Sequence, residues 1–161
     1  MNAKLLGFFS GFPTRHFTDD IADVLKKELT VRDSLVFVSC HPDDFVQNDE
    51  DSHGMHNMFA EINMPFVRHS VIDRRTTPED AVRLIREASC IFLMGGNATL
   101  QYQLMCDKGI VSEIRQSSAV ILGVSAGSMN MGYPTVDIYE TMKPYEALAF
   151  ANLTVKAHYL S

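Results

Sequence analysis

The sequence predicts a three-layer α/β domain built on a mostly parallel central sheet, and three features of the 161-residue chain carry that prediction. Short apolar runs alternate with amphipathic stretches along the chain, the pattern of strands joined by crossover helices. Some runs, such as Ser34 to Ser39 (Ser-Leu-Val-Phe-Val-Ser), are apolar at successive positions, so both faces of the strand are buried, as in a parallel sheet. One run, Ala119 to Leu122, leads directly into Gly-Val-Ser-Ala-Gly, where a strand must turn sharply into a helix.

Taken in order, Leu5 to Phe9 reads as the first strand. Thr18-Asp19-Asp20 then precedes an amphipathic helix to Leu29, with early carboxylates suited to a helix N-terminus. Leu35 to Cys40 is the second strand, followed by an acidic loop and a helix whose apolar side is Met55, Met58, Phe59 and Ile62. After a third strand, Phe66 to Ile72, the segment Thr77-Pro78-Glu79-Asp80 opens a helix from Ala81 to Ala88. It has a capping threonine, a proline in the first turn and two early acids. Cys90 to Met94 is the fourth strand, Ala119 to Leu122 the fifth and Leu153 to Ala157 a sixth. Tyr133 to Glu146 reads as a polar loop in which solvated carboxylates are expected.

Composition narrows the function classes. At 46% hydrophobic, the chain suits a single domain over residues 1–161, with a sizeable core and no linker or repeat. A net charge of -6 without a Lys/Arg stripe argues against a nucleic-acid backbone as partner and favours a small-molecule substrate. Cys40, Cys90 and Cys106 have no metal-ligand spacing and read as reduced core thiols. Lys4 to Phe9 is too short, and too soon followed by Gly-Phe-Pro, for a signal peptide or a membrane span. A cytoplasmic protein with no metal and no organic cofactor is the expectation.

The chemistry concentrates at strand carboxyl ends, where ligands bind in such sheets. In Gly123-Val124-Ser125-Ala126-Gly127 the glycines remove Cβ atoms that would collide across the turn. Ser125 then stands above the sheet, and the amide of Ala126 opens the following helix, facing the position where negative charge develops in acyl transfer. After the fourth strand, Gly95-Gly96-Asn97-Ala98-Thr99 lets backbone approach a bound group, and Gly96 is placed to donate a second oxyanion N–H. That turn lacks the lysine of a P-loop and the spacing of G-x-G-x-x-G, which argues against a nucleotide. His158, after the last apolar run, supplies an imidazole able to take the serine proton at neutral pH.

Together Gly-Val-Ser-Ala-Gly-Ser at 123 to 128, Met-Gly-Gly-Asn at 94 to 97 and Ala-His-Tyr at 157 to 159 resemble the aspartyl dipeptidase (peptidase E) family of serine peptidases. The resemblance runs over nearly the whole chain in element order. It implies a flavodoxin-like fold related to class I glutamine amidotransferases. Ser125 would be the nucleophile, His158 the general base, and the amides of Gly96 and Ala126 the oxyanion hole. It further implies hydrolysis of short peptides, in the best-known members those starting with aspartate.

One departure bears on activity. In the family a glutamate well downstream orients the histidine, whereas this sequence ends three residues past His158, so the C-terminal part of the family fold is expected to be absent. An acidic residue between serine and histidine also has a role in relatives, and Asp137 matches it by context, with Glu140 as the competing neighbour. Without an orienting carboxylate the imidazole can adopt the wrong tautomer, at a cost of about 10⁴ in kcat in another serine protease. A catalytically impaired relative that binds peptides or a partner protein is therefore an alternative. An amidase on the same fold is another, and an incomplete sheet with an open edge points to a homodimer.

A rival constellation crowds the sixteen residues from His41 to His56, with Asp43, Asp44, Asp49, Glu50, Asp51 and His53 between them. His53 and His56, at i and i+3, share a helix face and could bind zinc with a nearby carboxylate. The acidic-loop-into-helix reading is preferred, because no H-E-x-x-H pattern is present. Arg15 is a candidate for binding a substrate carboxylate, but the sequence does not place it.

Overall fold

The computed structural model describes residues 4–138 and 140–156. Five parallel strands form the central sheet: β1 (Leu6–Phe9), β2 (Ser34–Val38), β3 (Arg68–Ile72), β4 (Cys90–Leu93) and β5 (Val120–Val124), in the spatial order β1-β5-β4-β2-β3. The expected architecture is thus present, and in this sheet all pairings are parallel. β2, β4 and most of β5 are buried, as their unbroken apolar runs require, while the edge strands β1 and β3 are partly exposed.

Alternate residues of each strand feed two cores. Leu35, Phe37, Cys90, Phe92, Val120 and Leu122 face α1 (Asp19–Glu28) and α2 (Phe45–Glu61), packing on Leu25, Leu29, Met58 and Phe59. Val36, Val38, Ile91, Leu93 and Ile121 face α3 (Pro78–Glu87), α4 (Ala98–Asp107) and α5 (Val111–Gln116), packing on Ala81, Ile85, Leu104, Met105, Ile110 and Ile114. The chain therefore leaves β2 toward one face and the neighbouring strand β4 toward the other. Between two such loops a crevice opens at the carboxyl edge, where ligands bind in open α/β sheets.

Local chemistry fixes the helix starts. Thr77 Oγ1 accepts the Asp80 N–H at 3.2 Å with Pro78 in the first turn, as the sequence predicts. Asn97 caps α4 through its side-chain oxygen, which accepts the Leu100 N–H at 3.1 Å, so the third residue of Gly-Gly-Asn starts the helix behind the loop. Helix α2 starts earlier than expected, at Phe45, and takes Asp49, Glu50 and Asp51 into its first half. Asp49 is paired there with Arg75, at 2.6 Å.

Three other expectations need correction. Residues 153–156 of the expected sixth strand are not a strand, and Ala157 lies outside the described residues. The chain at Phe150 to Leu153 instead lies along the end of α6 (Ala126–Met131), donating Phe150 N–H to Met131 and receiving Tyr133 N–H at Leu153. The polar loop from Tyr133 contains a short antiparallel pair, β6 (Thr135–Val136) with β7 (Pro144–Tyr145). Of the cysteines, Cys40 and Cys90 are buried free thiols, but Cys106 is exposed because it falls on the solvent side of α4. Among the described residues no helix is long and apolar enough to cross a membrane.

Candidate active site

At the end of β5 the backbone of Ser125 takes φ 53° and ψ -113°, a conformation that side-chain-bearing residues rarely adopt. Such strain persists only where neighbouring structure imposes it, and here the restraints are specific. The Ser125 N–H donates to the Phe9 carbonyl of β1 at 2.8 Å, and the Ser125 carbonyl receives Met129 N–H at 3.1 Å. Ser128 adds a second tie: its hydroxyl accepts the Phe9 N–H at 3.1 Å and lies 2.7 Å from the Gly123 carbonyl. The glycines flanking the serine are packed without spare room. A Cβ on Gly123 would come within 2.7 Å of Met131 Sδ, and one on Gly127 would overlap the Leu93 carbonyl. Ser125 is thereby held half-buried at the sheet's carboxyl edge, and Ala126 begins α6.

The Gly95–Gly96 loop lies beside it. A Cβ on Gly95 would sit 3.6 Å from Ser125 Cβ, and Gly96 has φ +134°, open only to glycine. A buried polar network fixes this loop from below. Gln101 Nε2 donates to the carbonyls of Val38 (2.9 Å) and Met94 (3.1 Å), and Asn130 Nδ2 donates to the Ala98 carbonyl and to Gln101 Oε1, both at 2.9 Å. The Tyr145 hydroxyl closes the network on Asn130 Oδ1 at 2.8 Å. Burial, followed by the charge of Asp137, raises the Tyr145 phenol well above its ordinary range, so it remains a donor. The Cys40 thiol points to the Met94 carbonyl at 2.9 Å; burial raises its pKa, which makes it packing rather than a nucleophile.

Asp137 is 5% exposed, against the expectation of a solvated carboxylate. Its oxygens accept Thr99 Oγ1–H (3.2 Å), the N–H groups of Glu140 (3.2 Å) and Thr141 (2.8 Å), and Thr141 Oγ1–H (2.8 Å). It thus ties the β6–β7 loop to the first turn of α4, three residues after Gly96, whereas Glu140 contributes its backbone to Asp137. His158 lies outside the described residues.

His41 is a residue whose position the sequence reading missed. It follows β2, and its ring stands over the Gly95–Gly96 loop: a Cβ on Gly96 would fall 2.5 Å from His41 Nε2. The rival pair, His53 and His56, is engaged elsewhere. His56 Nε2 accepts the Phe66 N–H at 3.1 Å, which commits that lone pair, and the ring stacks on His69 at 4.5 Å. No group of three His, Cys, Asp or Glu side chains able to hold a metal occurs among the described residues.

Beside the elbow a pocket of about 580 Å³ opens between the β1–α1 loop and α2, with Gly95 and Val124 in its wall. Phe12 and Arg15 line one side, and Gln47, Glu50, Asp51, Gly54, Met55 and Met58 of α2 the other. Only helical spacing could have revealed this stripe, because the residues recur at intervals of one turn.

Comparison with known proteins agrees with the fold. A family model described as peptidase family S51 matches residues 7–161. Among solved structures, the chain is similar to a peptidase from an acI-B1 Actinobacterium, with a TM-score of 0.70 and 15% identity over 95% of this chain and 67% of that one. It is also similar to a Listeria monocytogenes protein solved as a candidate peptidase E, with a TM-score of 0.64 and 16% identity over 97% of this chain and 79% of that one. At such identities the likeness concerns the fold. No curated protein matches the chain.

Proposed function

The chain belongs to peptidase family S51 and is a peptidase hydrolase, and from that premise we propose that it cleaves short peptides by serine-type acyl transfer on Ser125. The observation that carries the reading is the strained backbone of Ser125, imposed by ties to Phe9 and Met129. Strain at a half-buried serine on the sheet's carboxyl edge, beside a second glycine loop, is what a preorganised nucleophile requires.

In this reading Ser125 Oγ attacks the scissile carbonyl while His158 takes its proton. The N–H groups of Gly96 and Ala126 receive the developing oxyanion, each donor of this kind being worth about 10²–10³ in kcat. His158 returns the proton to the leaving amine, and water hydrolyses the acyl-enzyme by the reverse sequence. Asp137 is the acid between serine and histidine that the family resemblance offers. Its link to Thr99 supports a place next to the oxyanion loop. Dipeptides beginning with aspartate, which the resemblance implies, are the first substrates to assay.

The test is mass mapping after exposure to a small fluorophosphonate, in wild type, His158→Ala and His41→Ala. A stoichiometric adduct on Ser125 that His158→Ala abolishes is the expected result. Loss in His41→Ala instead would move the base to the residue over Gly96, and no adduct on folded wild-type protein would overturn the hydrolase mechanism.

A further inference from the structure

The pocket beside Ser125 has a marked internal gradient. Its deep surface is Phe37, Phe92 and Met94 from the carboxyl ends of β2 and β4, with Met58 of α2; all four are at most 8% exposed. Its rim carries Gln47 and, one helical turn further along α2, Glu50 and Asp51, opposite Arg15. Two carboxylates against one guanidinium leave the lining net negative. An aspartyl side chain entering this space would bring its charge against phenylalanine and methionine, away from water, with acids at the mouth. Arg15, the guanidinium of the lining, is exposed at the rim, and the floor residues Phe37, Phe92, Met94 and Met58 carry no cation, so desolvation at that depth disfavours a carboxylate.

Gly54 sharpens the point. It interrupts the interior of α2, where alanine would stabilise the helix, and a Cβ there would meet no atom within 4 Å. The missing side chain leaves volume in the pocket wall. Met55 and Met58, adjacent on the same stripe, are adaptable apolar surfaces suited to side chains of several shapes.

We propose that this pocket receives an apolar or aromatic side chain of a peptide's N-terminal residue, with Glu50 and Asp51 receiving the free α-amine. The assignment rests on Ser125 being the acylated residue, since the wall residues Gly95 and Val124 put the pocket within one residue of both the oxyanion loop and the serine. The peptide carbonyl then lies at Ser125 when the side chain points down to Phe92 and the amine points toward α2. The rim carboxylates act by charge on the amine, and the floor acts by burial. A blocked amine loses the first contribution and an acidic side chain loses the second.

Two separate measurements test this. In Ser125→Ala, calorimetry should give Phe-Gly and Leu-Gly dissociation constants at least about tenfold lower than that of Asp-Gly, a ratio within reach of hydrophobic-pocket discrimination. N-acetylation of Phe-Gly, and the Glu50→Gln/Asp51→Asn variant, should weaken binding by a similar factor. Gly54→Leu, at an exposed helix position, should cost Phe-Gly more than Ala-Gly. Equal or tighter binding of Asp-Gly, or indifference to acetylation, overturns the pocket assignment. Fluorophosphonate labelling of wild type separates the two readings. An adduct on Ser125 together with preference for Asp-Gly removes the pocket assignment and leaves the hydrolase. Tight apolar binding without any adduct removes the hydrolase mechanism, and with it the register of the peptide carbonyl on Ser125, and leaves the pocket as an apolar peptide-binding site.

Discussion

A Cβ on Gly123 would come within 2.7 Å of Met131 Sδ, and one on Gly127 within 2.6 Å of the Leu93 carbonyl carbon, whereas one on Gly54, across the pocket on α2, would touch nothing within 4 Å. The elbow side is assembled from backbone: main-chain atoms in contact, a strained φ, and buried amides whose hydrogen bonds go to carbonyls. The α2 side is assembled from side chains on a regular helix, with space left between them. Chemistry common to a reaction class can be held by the first kind of construction, because main chain has no identity to vary. Selection among substrates suits the second, because each position on a helix can change without disturbing the others.

The contrast can be broken by substitution, and Gly127→Ala should have the largest effect. Its methyl overlaps the Leu93 carbonyl in a region where nothing can move independently. A loss of about 3 kcal/mol is expected, read from the shift in the urea unfolding midpoint. A near-neutral result would show that the elbow can relax. Next is Asn130→Ala, which removes the donor to the Ala98 carbonyl and the acceptor for Tyr145. Stranding buried polar groups costs about 2 kcal/mol, and fluorophosphonate labelling should slow as the Gly95–Gly96 loop loosens. Ser125→Gly should abolish labelling yet raise stability by about 1 kcal/mol, since glycine accepts φ 53° without strain.

On the other side the sign reverses for an alanine. Gly54→Ala should stabilise the protein by about 0.5–1 kcal/mol through helix propensity, measured by thermal unfolding. Destabilisation there would mean the stripe is packed rather than open. The smallest effect concerns pH. Burial, then the charges of His56 and His53, lower the His69 pKa below 6.5, so the native state binds fewer protons than the unfolded chain below that value. Stability should therefore fall as pH drops from about 6.5 toward the native pKa and stay level above it. His69→Gln should flatten that limb of the unfolding profile.

What could be read in advance divides along similar lines. Strands β2, β4 and β5 announce themselves because burial on both faces demands continuous apolar residues. The two glycine loops announce themselves because only glycine fits where main chains touch. Asn97 shows the limit of that legibility: its motif marks the loop, but its capping role needs the geometry of α4. Asp137 was misjudged because composition around it is polar, and its burial depends on Thr99, which lies 38 residues away. Leu153 to Lys156 has a strand's pattern, yet the preceding backbone finds partners at Met131 and Tyr133 instead of a sheet edge. The α2 stripe was seen only as core packing, since a pocket is defined by two walls and the other wall, Phe12 and Arg15, comes from a distant loop.

The hydrogen bond from Ser125 N–H to the Phe9 carbonyl spans most of the chain, and it gives the serine a temporal meaning. Contacts so far apart in sequence form late, because the loop they close is entropically costly until the intervening strands are paired. Under the proposed acylation of Ser125, the hydroxyl gains its reactive setting during refolding only after β1 has docked on β5. A covalent serine probe added at successive times would therefore record the completion of the sheet and serve as a clock for folding as well as a test of the proposed nucleophile.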